Sequence, residues 1–77
     1  MFSFDIFSSR LRTLREERNL SRKEVAELLG VTKTQINDLE HGKTGTSMAR
    51  LVVLAEYYKV STDYLLGITD DPTWRGK

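Results

Sequence analysis

Apolar positions recur at helical spacing along most of the chain, and no strand-like alternation persists. The first such face carries Phe7, Leu11 and Leu14, and Arg18 lies on the same face. This face predicts a first helix from about Asp5 to Arg18, capped by Ser3 or Asp5 and ended by Asn19.

Two reciprocal capping patterns follow. Ser21 with Glu24 is a Ser-x-x-Glu box, and Thr32 with Gln35 is a Thr-x-x-Gln box. In each box the hydroxyl satisfies a backbone N–H of the first turn, while the acidic or amide side chain returns to the cap residue. The sequence therefore predicts a second helix after Ser21 and a third helix after Thr32 that ends before Gly42.

Three residues in the second helix, the turn and the third helix indicate how these two helices meet. Ala26 is small, as a close approach of a second helix backbone requires, and Gly30 can adopt positive φ where the second helix stops. Ile36 returns an apolar side chain to the shared core. This combination predicts a helix-turn-helix in helices 2 and 3, a motif that places its second helix in the DNA major groove.

Two more helices are predicted after a polar loop. Ser47 caps a fourth helix, and Ser61 caps a short fifth helix that Gly67 stops, whereas residues 68–77 have no period. The apolar positions of the fourth helix are Leu51, Leu54, Ala55 and Tyr58. The predicted core consists of Leu11, Leu14, Leu20, Val25, Ala26, Leu29, Val31, Ile36, Leu39, Leu51, Leu54, Ala55, Val60, Tyr64 and Leu65.

Composition indicates a single small domain and excludes several classes of function. The chain has 77 residues, no cysteine and one histidine, which leaves no room for a second core. Disulfides and thiolate metal sites are excluded, and no base and nucleophile occur at a persuasive spacing, so we expect no enzyme, no metal and no cofactor. Apolar runs fall far short of the roughly 18 residues that span a bilayer, and the acidic Asp5 argues against a signal peptide. We expect a soluble, cytoplasmic protein.

Net charge is only +1, so the distribution of charge matters more than its sum. The basic residues of the first two helices are Arg10, Arg12, Arg15, Arg18, Arg22 and Lys23. This cluster is compatible with nucleic-acid binding. The alternative is a solvated helix face with i,i+4 pairs such as Arg12 with Glu16, and charge alone favours that alternative.

These residues together resemble the Cro/repressor-type helix-turn-helix family of bacterial and phage transcription regulators, also called the Xre family. The resemblance covers about residues 8–67, in the segments RLRTLREERNLSRKEVAELLGV, TQINDLEHGK and LVVLAEYYKVSTDYLLG. It implies an all-α, compact five-helix, lambda-repressor-like DNA-binding domain over residues 1–67. Residues 68–77 are then a tail that is part of a dimer interface or the start of a linker. The family's inter-helix ion pair corresponds to Arg15 on helix 1 and Glu40 at the end of helix 3.

With the family geometry, the outward side of helix 3 meets the DNA bases. The candidates for base contact are Thr32, Lys33, Thr34, Asn37 and Asp38. Lys33 is suited to guanine, the Thr34 methyl to a thymine methyl, and Asp38 to the cytosine amino group. Phosphate contacts are expected at the start of helix 2 and after helix 3, at Arg22, Lys23, His41, Lys43 and Thr44. The alternative is a polar face that contacts only solvent.

The function implied is sequence-specific binding of double-stranded DNA by a transcriptional regulator associated with the nucleoid. We expect a repressor that binds an inverted-repeat operator as a homodimer, with no membrane partner. The expected dimer surface comprises Tyr57, Tyr58, Leu66 and Ile68. An exposed Trp74 either adds area to this surface or is only part of the chain terminus. The second hypothesis is a protein-interaction module, such as an antitoxin or antirepressor, with secondary DNA binding. The low net charge and the acidic Asp38 favour this second hypothesis slightly.

Overall fold

Five α-helices follow one another in the computed structural model, which describes residues 4–74. They are α1 (Phe4–Glu17), α2 (Arg22–Leu29), α3 (Lys33–Glu40), α4 (Met48–Tyr58) and α5 (Thr62–Leu66). The all-α prediction and the order of the five helices are confirmed. Among residues 4–74, no helix is long and apolar enough to cross a membrane.

Hydroxyl side chains start the last four helices. Ser21, Thr32, Ser47 and Ser61 each accept a hydrogen bond from a backbone N–H in the first turn of the helix that follows. Both predicted capping boxes are reciprocal, because Glu24 and Gln35 accept the backbone N–H of their cap residues. A cap of this kind contributes about 1 kcal/mol to helix stability.

The start of α1 differs from its prediction. Asp5 lies inside the first turn of α1 rather than at its cap, so the prediction of a cap at Asp5 is wrong. A carboxylate at this position still interacts favourably with the positive end of the helix dipole. The other predicted cap, Ser3, lies outside the described residues.

The buried core joins all five helices. Its apolar members are Phe7, Leu11, Leu14, Val25, Ala26, Ile36, Leu39, Leu54, Ala55, Tyr58, Val60 and Leu65. Five residues that we predicted as core are only partly buried and pack against its rim: Leu20, Leu29, Val31, Leu51 and Tyr64. Leu20 and Val31 lie in the turns between helices, where one side of a side chain still meets solvent.

Tyr58 corrects the predicted dimer surface. Tyr58 is 1% exposed, and the Arg18 guanidinium lies 5.1 Å from the centroid of the Tyr58 ring. Arg18 also donates a hydrogen bond of 2.7 Å to the Tyr58 carbonyl oxygen. Tyr58 is therefore a core residue and cannot contribute to an external apolar surface, unlike its neighbour Tyr57, which is 43% exposed.

The segment after α5 folds back onto the helices. Thr73 forms an isolated antiparallel bridge with Val60, and the Ser61 N–H donates to the Pro72 carbonyl oxygen at 3.3 Å. This return places Trp74 against the core, partly buried, with Lys59 Nζ 5.5 Å from its ring centroid. The expectation of an exposed Trp74 is wrong, because backbone contacts to the joint between α4 and α5 bring it inward.

Arg10 fastens this returning segment to α1. Its guanidinium donates to the carbonyl oxygens of Tyr64 and Thr69, the latter at 2.7 Å, and pairs with Asp70 at 2.7 Å. The same guanidinium lies 4.0 Å from the centroid of the Tyr64 ring, a cation–π arrangement. Arg10 therefore has a structural role, and the basic face of α1 is not simply solvated.

Candidate nucleic-acid interface

Helices α2 and α3 form one packed unit. Val25 and Ala26 of α2 and Ile36 of α3 are buried. At the turn between the helices, Gly30 has a φ of 69° and its N–H donates to the carbonyl oxygens of Ala26 and Glu27. This left-handed conformation is the one that favours glycine. The turn and the buried face fix how α3 projects, and they leave the opposite side of α3 in solvent.

The first turn of α3 presents polar side chains to solvent. Thr32, Lys33 and Thr34 are exposed, whereas Asn37 and Asp38 are half-buried. Asp38 lines a cleft of about 190 Å³ between α3 and the loop before α4. Of the five candidate base-contacting residues, three are therefore exposed to solvent and two lie partly buried at the margin of this surface.

The residues after α3 extend the surface. His41, Lys43 and Thr44 are exposed. His41 Nδ1 lies 2.7 Å from the Asn37 carbonyl oxygen, and the Lys43 N–H donates to the Asp38 carbonyl oxygen at 2.9 Å. These contacts close the C-terminal end of α3 and hold the following residues beside it.

The start of α2 reaches the end of α3 through one side chain. Arg22 Nε donates to Glu40 Oε1 at 3.2 Å, and the Arg22 side chain is 30% exposed. The adjacent Lys23 is exposed. The contact between Arg22 and Glu40 therefore joins α2 to the end of α3. It connects the two parts of the surface that carry the candidate phosphate-contacting residues.

Arg15 and Glu40 form a buried, two-point ion pair. Arg15 Nε donates to Glu40 Oε2 at 2.7 Å, and a second guanidinium nitrogen donates to Oε1 at 3.2 Å. The side chains are 9% and 3% exposed. The hydrogen bond to Glu40 raises the pKa of the Arg15 guanidinium, an effect that burial partly opposes. Arg15 also donates to the Leu20 carbonyl oxygen at 2.9 Å, which ties the turn after α1 to the same cluster.

Most of the chain matches a known protein family. The model of the helix-turn-helix family HTH_3 matches residues 11–65, which include α2, α3 and their turn. The chain belongs to the HTH_3 family. This family comprises Xre-type transcriptional regulators that bind DNA and are not enzymes, so the predictions of an Xre-type protein and of no enzymatic activity are confirmed.

Two transcriptional regulators and one phage repressor are similar to this chain. The HTH-type transcriptional regulator YobD of Bacillus subtilis is 39% identical over 67 residues, which cover 87% of this chain and 60% of YobD. A transcriptional regulator from Listeria innocua superposes with a TM-score of 0.79 at 30% identity, covering 91% of this chain and 64% of that one. The P22 c2 repressor, solved in complex with a synthetic operator, shares the fold with a TM-score of 0.74 at 24% identity, covering 79% of this chain and 92% of its own.

Two residues at the surface of this HTH_3 domain escaped the sequence reasoning. Gln35 is exposed on the first turn of α3 beside Lys33 and Thr34, although the sequence suggested only its capping role. Arg50 is exposed and lines the same cleft as Asp38. The sequence does place Arg50 in the first turn after the Ser47 cap. That position puts a cation next to the loop that follows α3 and could have indicated a surface role.

Proposed function

We propose that this chain is a sequence-specific regulator that binds double-stranded DNA with α3 in the major groove. The observation that carries the proposal is the exposed polar first turn of α3 on a helix pair whose other side is buried. A major groove about 12 Å wide admits one α-helix, and the N-terminal residues of the second helix of such a unit contact base edges. The operator on which it acts is then part of the cytoplasmic nucleoid.

Side-chain chemistry assigns a role to each part of this surface. Lys33 donates to guanine O6 or N7, the Thr34 methyl packs on a thymine methyl, and Asp38 accepts from a cytosine amino group. Thr32 and Asn37 flank these contacts. The residues assigned to phosphates, which set register without reading sequence, are Arg22, Lys23, His41, Lys43 and Thr44.

A homodimeric repressor on an inverted repeat remains the form of regulation that we propose. One module of this size has a small DNA interface, so two copies raise affinity and add a second half-site. Exposed apolar side chains near the end of the fold support a surface for the second copy: Tyr57 and Ile68 are 43% and 55% exposed. Leu66, which is partly buried, completes this proposed surface.

Selection of bound duplexes from a randomised DNA pool, at near-physiological salt, tests the proposal. We expect an enriched inverted repeat whose half-sites lie about one helical turn apart. Recovery of a single half-site with no repeat would contradict the dimeric form alone. Absence of any enriched sequence, with only salt-sensitive bulk binding, would contradict sequence-specific recognition.

A protein-interaction module is the second candidate, and one observation favours it. The outer side of α4 carries exposed apolar side chains at Met48, Val52, Val53 and Tyr57, with exposed fractions of 84%, 48%, 37% and 43%. Exposed apolar side chains in a group are typical of a protein contact surface. Failure of the DNA selection would favour this candidate, with DNA binding then secondary or absent.

A further inference from the structure

Glu40 binds two arginines at once. Its Oε2 accepts from Arg15 Nε at 2.7 Å, while its Oε1 accepts from a second Arg15 nitrogen and from Arg22 Nε, both at 3.2 Å. The Glu40 side chain is 3% exposed and the Arg22 side chain is 30% exposed. The cluster therefore begins in the interior, at Arg15, and ends at the surface, at Arg22 on the first turn of α2.

Arg22 has N–H donors that Glu40 does not engage. A guanidinium has five N–H donors in a rigid fork, and Glu40 engages only Nε. Within residues 4–74, the two terminal nitrogens of Arg22 have no hydrogen-bond acceptor. One carboxylate neutralises only one of the two arginines, so the three side chains together carry one net positive charge. That charge is accessible only at Arg22.

We infer that Glu40 is a positioning residue for DNA binding, which holds the Arg22 guanidinium by Nε so that its terminal nitrogens can pair with a DNA phosphate. The inference rests on the proposed function, because it assumes that α2 approaches the DNA backbone. Ordering a long side chain on binding costs free energy, and a side chain already ordered in the free protein loses less. A planar fork can bind a carboxylate and a phosphate at the same time.

Lysine at this position would behave differently. Its ammonium is a compact point charge on a flexible stem, so Glu40 and a phosphate would compete for it. If Glu40 positions Arg22, a lysine should therefore lose most of the contribution of the arginine even though it keeps the positive charge. If Arg22 acts only through its charge, a lysine should serve as well.

The test measures affinity for a labelled duplex of about 20 base pairs, recovered by selection with the wild-type protein, across a range of salt concentrations. We expect Arg22→Gln to weaken binding about tenfold and to reduce the slope of log affinity against log salt by about 1. Arg22→Lys should weaken binding by nearly the same factor. Binding by Arg22→Lys that matches the wild type would overturn the inference.

A double-mutant cycle separates positioning from a purely structural role of Glu40. Glu40→Gln should weaken binding more in the wild-type background than in the Arg22→Gln background, because only its effect through Arg15 is left once Arg22 is replaced. The exposed neighbour Lys23 provides the matched control: Lys23→Gln and Glu40→Gln should combine additively. An equal loss from Glu40→Gln in both backgrounds would mean that Glu40 acts only through stability, and would overturn the inference.

The test separates failure of this inference from misfolding of a variant and from failure of the proposed function. Arg22→Lys leaves Glu40 and its pair with Arg15 in place, so that comparison stands even where Glu40→Gln fails to fold. Wild-type protein that binds no duplex would overturn the proposed function together with this inference, whereas wild-type binding with full activity of Arg22→Lys would overturn this inference alone.

Discussion

At the scale of single residues, Glu40 connects three helices through one carboxylate. It is the partner of Arg15 on α1 and of Arg22 on α2. Glu40→Ala removes the acceptor for both and leaves the buried Arg15 guanidinium without its counter-charge. We expect a loss of about 3–5 kcal/mol in the free energy of unfolding, measured by urea denaturation.

Glu27 is the matched control for that prediction, because it is an exposed glutamate on the adjacent helix. Glu27→Ala should change the free energy of unfolding by no more than about 0.5 kcal/mol. Equal midpoints for the two variants would show that the Arg15–Glu40 pair is not important for stability.

Tyr58 makes the stability depend on alkaline pH. The pKa of its phenol is raised from 10.0 to about 12, mainly by burial and to a smaller extent by the nearby Glu40 carboxylate. The unfolded chain therefore releases this proton at lower pH than the folded chain. The contribution of Tyr58 is complete below pH 10 and is lost as pH rises towards about 12, a decrease of about 3 kcal/mol in the free energy of unfolding.

Denaturation curves between pH 10 and about 12 measure this decrease. Tyr58→Phe should flatten the dependence, since it removes the titrating group. The same slope in the wild type and in Tyr58→Phe would assign the alkaline loss to other groups.

Single-residue roles could be predicted from the sequence only in part. Arg15 and Glu40 were paired by family resemblance, not by spacing. The third member, Arg22, was assigned only to phosphate, since its 3.2 Å contact with Glu40 depends on how α2 and α3 cross. Tyr58 was assigned to a surface because helical spacing alone does not tell a core-facing position from a partner-facing one.

At the scale of elements, Lys33 and Lys43 allow the two kinds of DNA contact to be separated. Lys33 lies at the start of α3 and Lys43 follows its end, and both are exposed. Lys33→Ala should cost about 1–3 kcal/mol of binding free energy and relax the preference at one base position. The measurement is selection of bound duplexes, followed by affinity determination on the enriched sequence.

Lys43→Ala serves as the counterpart of Lys33→Ala. It should weaken binding to all sequences alike and reduce the salt slope by about 1. Identical selected sequences for the wild type and Lys33→Ala would remove α3 from base recognition, whatever the effect of Lys43→Ala.

The four later helices could be predicted well because their signals are local. A hydroxyl cap acts within the first turn of its helix, and the residue that ends a helix acts within the last turn. Helix starts can therefore be read from the sequence alone at Ser21, Thr32, Ser47 and Ser61. The return of residues 68–74 could not be predicted in this way. It depends on contacts with distant residues, such as Arg10 and Val60, which leave no periodic pattern.

At the scale of the whole molecule, Arg10 connects the beginning of the fold to its end. Arg10→Ala removes hydrogen bonds to the Tyr64 and Thr69 carbonyl oxygens and the ion pair with Asp70. We expect a loss of about 1–3 kcal/mol in the free energy of unfolding, and faster amide hydrogen exchange at Ser61, whose N–H donates to Pro72.

Arg12 is the control on the same helix, since it has neither an ion pair nor a hydrogen bond from its side chain within residues 4–74. Arg12→Ala should leave the exchange rate at Ser61 unchanged. Unchanged exchange in Arg10→Ala would show that the returning segment is held by Val60 and Trp74 without Arg10.

The return of the tail also has an optical consequence. Trp74 is the only tryptophan of the chain, and its ring lies beside Lys59 on the segment that folds back. Its fluorescence therefore comes from this segment, whereas far-ultraviolet circular dichroism comes mainly from the helices. A red shift of the emission at lower denaturant than the loss of ellipticity would resolve detachment of the tail as an event separate from unfolding of the helices, with no dye or label added.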